Sequence, residues 1–269
     1  MQTPDLMPSP PAAELASPVI ETFSLTRRYK NILAVDGVTF AVRRAEIFGL
    51  IGPNGAGKST LIKMLTTMLP PSSGRAIVGG FDVAKEPQRV RGHIGYVPQQ
   101  LSADRELTGY ENLLLSARLY LIPRRERATR IREALERLGL SDVAGRLARD
   151  YSGGMLRRLE IAQSMMHRPA VLFMDEPTVG LDPAGRHAVW NHVRDLRREL
   201  GTAILLSTHY MDEAEDLCDR VGVMQSGRLG PVGTPQELKS PLKAGATLDD
   251  VFEQLTGTPV PSSSGHQHG

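Results

Sequence analysis

Cysteine is almost missing from this chain. Cys218 stands alone among 269 residues, so no intrachain disulfide can form and a reducing cytoplasm is the simplest compartment. Long apolar runs are missing too. None approaches the roughly 20 residues that a membrane span needs, and Met1 to Pro18 is proline-rich without the basic start and apolar stretch of a signal peptide. Charge of one sign is not in excess: a net +2 gives no argument for nucleic acid, and Arg124-Arg125-Glu126-Arg127 reads as a solvated helix face. His266 and His268 are too few and too loosely placed for a metal site, and no internal repeat is apparent. What remains is a chain with 41% hydrophobic residues, enough for one sizeable core with an inserted lobe.

The residues that carry chemistry begin at Ile47-Phe48-Gly49-Leu50-Ile51, a short apolar strand that runs into Gly52-Pro53-Asn54-Gly55-Ala56-Gly57-Lys58-Ser59 and then an amphipathic helix through Leu61 and Leu65. A glycine-rich turn at a strand-to-helix junction lets successive N–H groups point inward around a phosphate, where the helix dipole adds positive charge. Lys58 supplies a mobile charge for the outer phosphates, Ser59 a hydroxyl for Mg²⁺, and Thr60 extends the same face. A second phosphate-gripping helix start is expected at Ser152-Gly153-Gly154, about a hundred residues on.

Two more apolar runs read as buried parallel strands. Ala170 to Met174 delivers Asp175 and Glu176 at its carboxyl edge, where open α/β sheets bind ligands. Asp175 is placed to hold Mg²⁺, through water, and Glu176 to orient or deprotonate the attacking water. Ala203 to Ser207 ends in Thr208-His209, where His209 can hydrogen-bond a terminal phosphate.

The order of phosphate loop, Tyr96-Val97-Pro98-Gln99, Ser152-Gly153-Gly154, Val171 to Glu176, Gly180-Leu181-Asp182 and Ser207-Thr208-His209 resembles the nucleotide-binding subunit of an ATP-binding-cassette transporter, over about residues 19 to 257. That resemblance implies an α/β fold: a P-loop NTPase (RecA-like) core with an N-terminal antiparallel β subdomain and an inserted helical subdomain. The expected divisions are a flexible tail over 1–17, an ATPase domain over 18–257 with the helical part at about 101–166, and a second tail over 258–269. It makes Gln99 the residue that touches Mg²⁺ or the water and reports nucleotide state to the helical lobe. It makes Tyr29 the ring that stacks on adenine, and Asp182 a contact across a dimer. From its own sequence context, Asp182 is also an N-cap ahead of Pro183, for a helix that Gly201 ends.

Tyr151-Ser152-Gly153-Gly154-Met155 departs from the family's commonest Leu-Ser-Gly-Gly-Gln. Met155 has no amide, so a hydrogen bond from that position, for example to ribose, is lost. This form, like the tail Thr247 to Phe252, is similar to the drug-exporter branch of daunorubicin-resistance type. Ala45, where the family often has glycine, implies a turn without positive φ.

Local patterns complete the reading. Asp36-Gly37 suggests the turn of a small antiparallel sheet that carries Tyr29. Thr108 and Glu111 form a capping box, Gly139 stops the helix of Ile131, Leu135 and Leu138, and a last helix places Leu248, Val251, Phe252 and Leu255 on one side. The outer face near Leu101, Leu107 and Tyr110 is a candidate docking groove, with a packed lobe as the alternative.

The implied function is hydrolysis of ATP, with Mg²⁺, by a head-to-tail dimer at the cytoplasmic face of the cell membrane, powering a separate membrane-spanning permease. Lys58, Glu176 and His209 are its expected catalytic groups. The importer alternative shares those residues, and the Tyr-Ser-Gly-Gly-Met form and short tail argue against it. A soluble member would be expected to show a second cassette or a coiled-coil insertion, and a GTPase or kinase leaves Ser152-Gly153-Gly154 and His209 without a purpose. Drug, lipid and polysaccharide all remain open as cargo.

Overall fold

Three unbroken apolar runs become three adjacent central strands. In the computed structural model, which describes residues 18–242 and 245–257, β3 (Ile47–Ile51), β7 (Val171–Asp175) and β8 (Ala203–Thr208) are buried along their whole lengths. That is the pattern of parallel strands covered on both faces. With β6 (Ile94–Val97), β9 (Arg220–Gln225) and β10 (Arg228–Gly233) they form one sheet of order β10-β9-β3-β8-β7-β6, parallel except for β10. Register aligns Ile51 with Thr208, Asp175 with Ser207 and Val97 with Met174. The segments that follow these strands therefore leave from one edge, and each carries an expected site residue: Gly52, Gln99, Glu176 and His209.

Alternation along the strands divides the core in two. Phe48, Leu50, Phe173 and Leu205 face a second, antiparallel sheet of order β2-β1-β4-β5, built from β1 (Pro18–Tyr29), β2 (Ile32–Arg43), β4 (Ser73–Val78) and β5 (Phe81–Asp82). Phe40 stacks on Phe48 at 5.2 Å between ring centroids. Ile47, Ile51, Leu172, Met174, Ile204 and Leu206 face the other way, toward the helical lobe. Helix α1 (Lys58–Leu65) packs between the two sheets, with Leu61, Ile62 and Leu65 fully buried.

The chain continues through α2 (Pro87–His93) to the lobe, which contains α3 (Gly109–Leu119), α4 (Arg124–Arg137) and α5 (Gly153–Met165). The capping box forms: Glu111 N donates to Thr108 Oγ1 and Thr108 N to Glu111 Oε2. Gly139, at φ +62°, ends α4. Helix α6 (Pro183–Leu200) begins with Gly185 N donating to Asp182 Oδ1 and ends at Gly201 with φ +64°. Then come α7 (Met211–Leu217), α8 (Pro235–Lys239) and α9 (Leu248–Thr256).

Two local expectations are overturned. Ala45 has φ +52°, so the tight β2–β3 turn takes the left-handed conformation without glycine. Arg197 Nε holds that turn by donating to the Ala45 carbonyl at 2.7 Å. Asp36-Gly37 is not the hairpin turn: the chain reverses at Lys30-Asn31, and Asp36-Gly37 lies inside β2, where pairing slips from Leu25–Val38 to Arg27–Val35. Leu248, Val251, Phe252 and Leu255 share one side of α9, where the first three are buried and Leu255, near the helix end, is 41% exposed. The expected tails at 1–17 and 258–269 lie outside the described residues.

Candidate active site at the carboxyl edge of the parallel strands

The phosphate loop is shaped by contacts that leave no room for side chains. A Cβ on Gly52 would sit 2.3 Å from Met224 O, and one on Gly57, at φ +104°, 2.3 Å from Ala34 O. Gly227 N donates to Ala56 O and Asp36 N to Gly227 O, at 2.9 and 2.8 Å. The bulge in β2 and the β9–β10 turn thus brace the loop from outside.

Lys58 is 4% exposed. Its Nζ donates to Gly52 O at 2.7 Å and Pro53 O at 3.1 Å, and stands 3.5 Å from Glu176 Oε1. Burial pushes the ammonium pKa down, and Glu176 and then Asp175 oppose that shift. Asp175 Oδ1 accepts from Ser59 Oγ at 3.0 Å and Ser207 Oγ at 2.6 Å. Glu176 turns out of line at φ +48°, its N–H held by the Ser207 carbonyl and hydroxyl oxygens, each at 3.1 Å. Gln99 Nε2 donates to Glu176 Oε2 at 3.3 Å, and His209 Nδ1 approaches the same oxygen to 3.4 Å without hydrogen-bond geometry. One carboxylate thus has lysine at one oxygen and glutamine with histidine at the other.

The residues gather around a cleft of about 590 Å³ lined by Ile32, Leu33, Ala34, residues 54–60, Gln99, Glu176, Ser226 and Gly227. Tyr29 lies in an adjoining groove formed by residues 27–32, with Ile32 common to both. Arg27 covers one face of its ring at 4.7 Å. Ser152, Gly153, Gly154 and Asp182 do not line the cleft. They form a separate group: Met155 N donates to Ser152 Oγ at the start of α5, a Cβ on Gly153 would meet Leu181 at 3.3 Å, and one on Gly154 would meet Gly185 Cα at 3.5 Å. Below this group, Glu213 of α7 is fully buried, with Oε1 accepting from Thr178 Oγ1 and Trp190 Nε1, both at 2.8 Å. Burial raises its pKa.

Sequence reasoning missed the wall made by Ile32, Leu33, Ala34, Ser226 and Gly227. Ser226-Gly227 had a turn signal available, but nothing local announces that this turn meets the phosphate loop. Ser207 was placed in a motif without its contacts to Asp175 and Glu176.

A buried lysine and the start of helix α1, both lining the cleft, suit a nucleotide's phosphates. Ser59 Oγ and Asp175 Oδ1 meet as hard oxygen donors, which fits Mg²⁺, a cation that keeps its waters and takes few protein ligands.

The sequence pattern of the ABC transporter family matches residues 35–179. A daunorubicin resistance ATP-binding protein of Streptomyces coeruleorubidus is 45% identical over 89% of this chain and 75% of its own length. The chain belongs to the ABC transporter family. A linearmycin resistance ATP-binding protein of Bacillus subtilis is 39% identical over 88% of the chain and 75% of its own. The solved ATP-binding subunit of an ABC transporter superposes with a TM-score of 0.78 at 32% identity, over 88% of this chain and 99% of that one. As an ABC transporter ATPase, the chain has a P-loop NTPase fold. No helix among the described residues is long and apolar enough to cross a membrane.

Proposed function

We propose that this chain is the ATP-hydrolysing subunit of an exporter of drugs or other hydrophobic compounds, bound through a separate permease to the cytoplasmic face of the membrane. Lys58 and backbone N–H groups among the cleft-lining residues 54–60 hold the phosphates of ATP, and Tyr29 stacks on adenine with the ring face that Arg27 leaves open. Ser59 and Asp175, with Gln99, hold Mg²⁺, which neutralises charge on the phosphate oxygens when bound. Glu176 accepts a proton from the attacking water, Gln99 orients that water, and His209 donates to the terminal phosphate.

The observation that carries this reading is the division of the candidate residues. Lys58, Gln99 and Glu176 share a cleft, while Ser152, Gly153, Gly154 and Asp182 stand outside it. A second copy placed head to tail brings its Ser152 group against the open cleft, so two copies make two sites. For a permease contact, the reading draws support from a cleft of about 300 Å³ lined by Tyr96, Pro98, Ser102, Leu119 and Tyr120 together with Ser116, Glu160, Gln163 and Ser164, next along the chain to the exposed Leu121. Ser102 of this cleft directly follows Leu101 of the expected groove, in which Leu101 and Tyr110 are exposed and Leu107 is half-buried.

The test is the dependence of turnover on protein concentration, measured with Ser152→Ala. Turnover that rises with concentration and falls about 10²- to 10³-fold in the variant, as for loss of one transition-state donor, supports the reading. Concentration-independent turnover with no effect at Ser152 overturns it. Co-purification of a membrane protein, with ATPase stimulation across candidate cargoes, tests the transport role.

A further inference from the structure

The chemistry of the cleft leaves one buried ion pair unused. Arg157 and Glu160, on the first two turns of α5, are each 2% exposed and meet at 3.0 Å. Two charges are costly to bury and persist where further hydrogen bonds satisfy them. Here nearly all of those bonds go to one segment. Arg157 Nη1 donates to Pro98 O at 2.6 Å and Nη2 to Gln99 O at 2.8 Å. Glu160 Oε1 accepts from the N–H of Ser102, from its hydroxyl at 3.1 Å and from the N–H of Ala103 at 3.3 Å. One turn on, Ser164 Oγ donates to Tyr96 O at 2.9 Å. The segment that carries Gln99 is gripped on both sides by the helix that starts at Ser152.

Apolar packing could hold a loop against a helix, but it would not fix both flanks by directed bonds. A planar guanidinium with two parallel donors fixes orientation as well as distance. Gln99 and Ser152 serve different nucleotide sites in the head-to-tail dimer, because one lines its own chain's cleft and the other stands outside it. We propose that the Arg157–Glu160 pair is a positioning clamp that makes the Gln99 segment and the Ser152–Gly154 helix start move as one body. It passes the nucleotide state at one site to the phosphate-binding start presented to the other. The proposal rests on the shared-site reading given under Proposed function. Neither residue touches the nucleotide, so loss of the clamp leaves ATP capture intact and uncouples the two sites.

Arg157→Ala alone strands the Glu160 charge and mixes folding with function. The paired exchange Arg157→Met with Glu160→Met replaces the ion pair by apolar side chains, a change that buried ion pairs often tolerate. Binding of a fluorescent ATP analogue, the unfolding midpoint, kcat and the steepness of the ATP dependence are measured in it and in Arg157→Lys. The double variant is expected to keep nucleotide affinity, to lose about 10- to 100-fold in kcat, the scale of misplacement far from the chemistry, and to lose cooperativity in ATP. Arg157→Lys, with one point charge in place of two parallel donors, falls between it and wild-type. Full, cooperative turnover by the double variant overturns the clamp.

Hydrogen exchange on the wild-type protein decides independently of how the variants fold. Residues 98–103 and 153–158 are expected to change protection together when ATP binds, and a change confined to 98–103 overturns the proposal. Failure of the shared-site reading registers elsewhere, as wild-type turnover that is independent of protein concentration.

Discussion

Lys58 Nζ and Glu176 Oε1 face each other across 3.5 Å, both nearly excluded from water. The lysine's remaining bonds go to carbonyls of its own loop, Gly52 and Pro53. The site thus keeps its main cation beside its proposed base, held by loop oxygens with which phosphate oxygens would compete. Gln99 and His209 meet the other carboxylate oxygen, so the base has a partner at each end.

Glu176→Gln is the direct test of that carboxylate. The amide keeps the shape but cannot take a proton. ATP binding is expected to persist, turnover to fall by about 10²- to 10⁴-fold, the range for a lost general base, and an ATP-bound dimer to accumulate on size exclusion. Full turnover in the variant would remove Glu176 from its role.

Gly57→Ala probes the bracing of the phosphate loop. The new methyl meets Ala34 O at 2.3 Å in a left-handed backbone, where a non-glycine residue costs roughly 1–2 kcal/mol before any clash. A lower urea midpoint is expected together with loss of nucleotide binding. Wild-type affinity at wild-type stability would contradict the packing described.

Ala45→Gly goes the other way. It relieves roughly 1–2 kcal/mol at φ +52°, of which about 0.4–1 kcal/mol is returned as extra freedom of the unfolded chain. The melting temperature is expected to rise by about 2 °C, with ATPase activity unchanged. A fall in melting temperature would contradict the strain.

How much of this was legible follows from how far each signal reaches along the chain. Ile47–Ile51 and Val171–Asp175 declared themselves because a strand covered on both faces is apolar throughout, and the phosphate loop and Asp182-Pro183 carry their own turn and cap chemistry. Ala45 misled because alanine disfavours positive φ, while its conformation is set by the short β2–β3 connection; the glycine that the family often has there was the signal for it. Asp36-Gly37 misled because the same dipeptide serves a hairpin or a bulge, and which one forms depends on pairing with Leu25 and Arg27. The wall formed by Ile32 and Gly227 was out of reach for a similar reason: it exists only once β2 and the β9–β10 turn have met.

Trp190 is the only tryptophan in the chain, and its indole N–H is bonded to buried Glu213. Glu213→Ala leaves Trp190 and Thr178 without that acceptor, a loss of about 1–3 kcal/mol for stranded buried donors. Tryptophan emission is expected to shift, and unfolding to begin at lower denaturant. Unchanged emission would mean that the indole does not depend on this carboxylate.

His167 stacks on Tyr120 at 3.8 Å and donates from Nε2 to Ile94 O. Burial lowers its pKa below the ordinary 6.5. Between the folded value and 6.5 the unfolded chain binds a proton that the folded chain refuses, so stability rises with pH across that window and falls as pH drops through it. His167→Phe is expected to cost about 1 kcal/mol at neutral pH through the lost hydrogen bond and to flatten the acid limb of the unfolding midpoint. An equally steep limb would assign the effect to other groups.

The abutment of Gly57 against Ala34 and of Ala56 against Gly227 makes the nucleotide pocket a joint product of distant stretches of chain. Moving residues 52–59 into another α/β scaffold would carry the lettering of the motif without the walls that give it curvature. A designer who wants this loop has to import the strand bulge and the β9–β10 turn along with it.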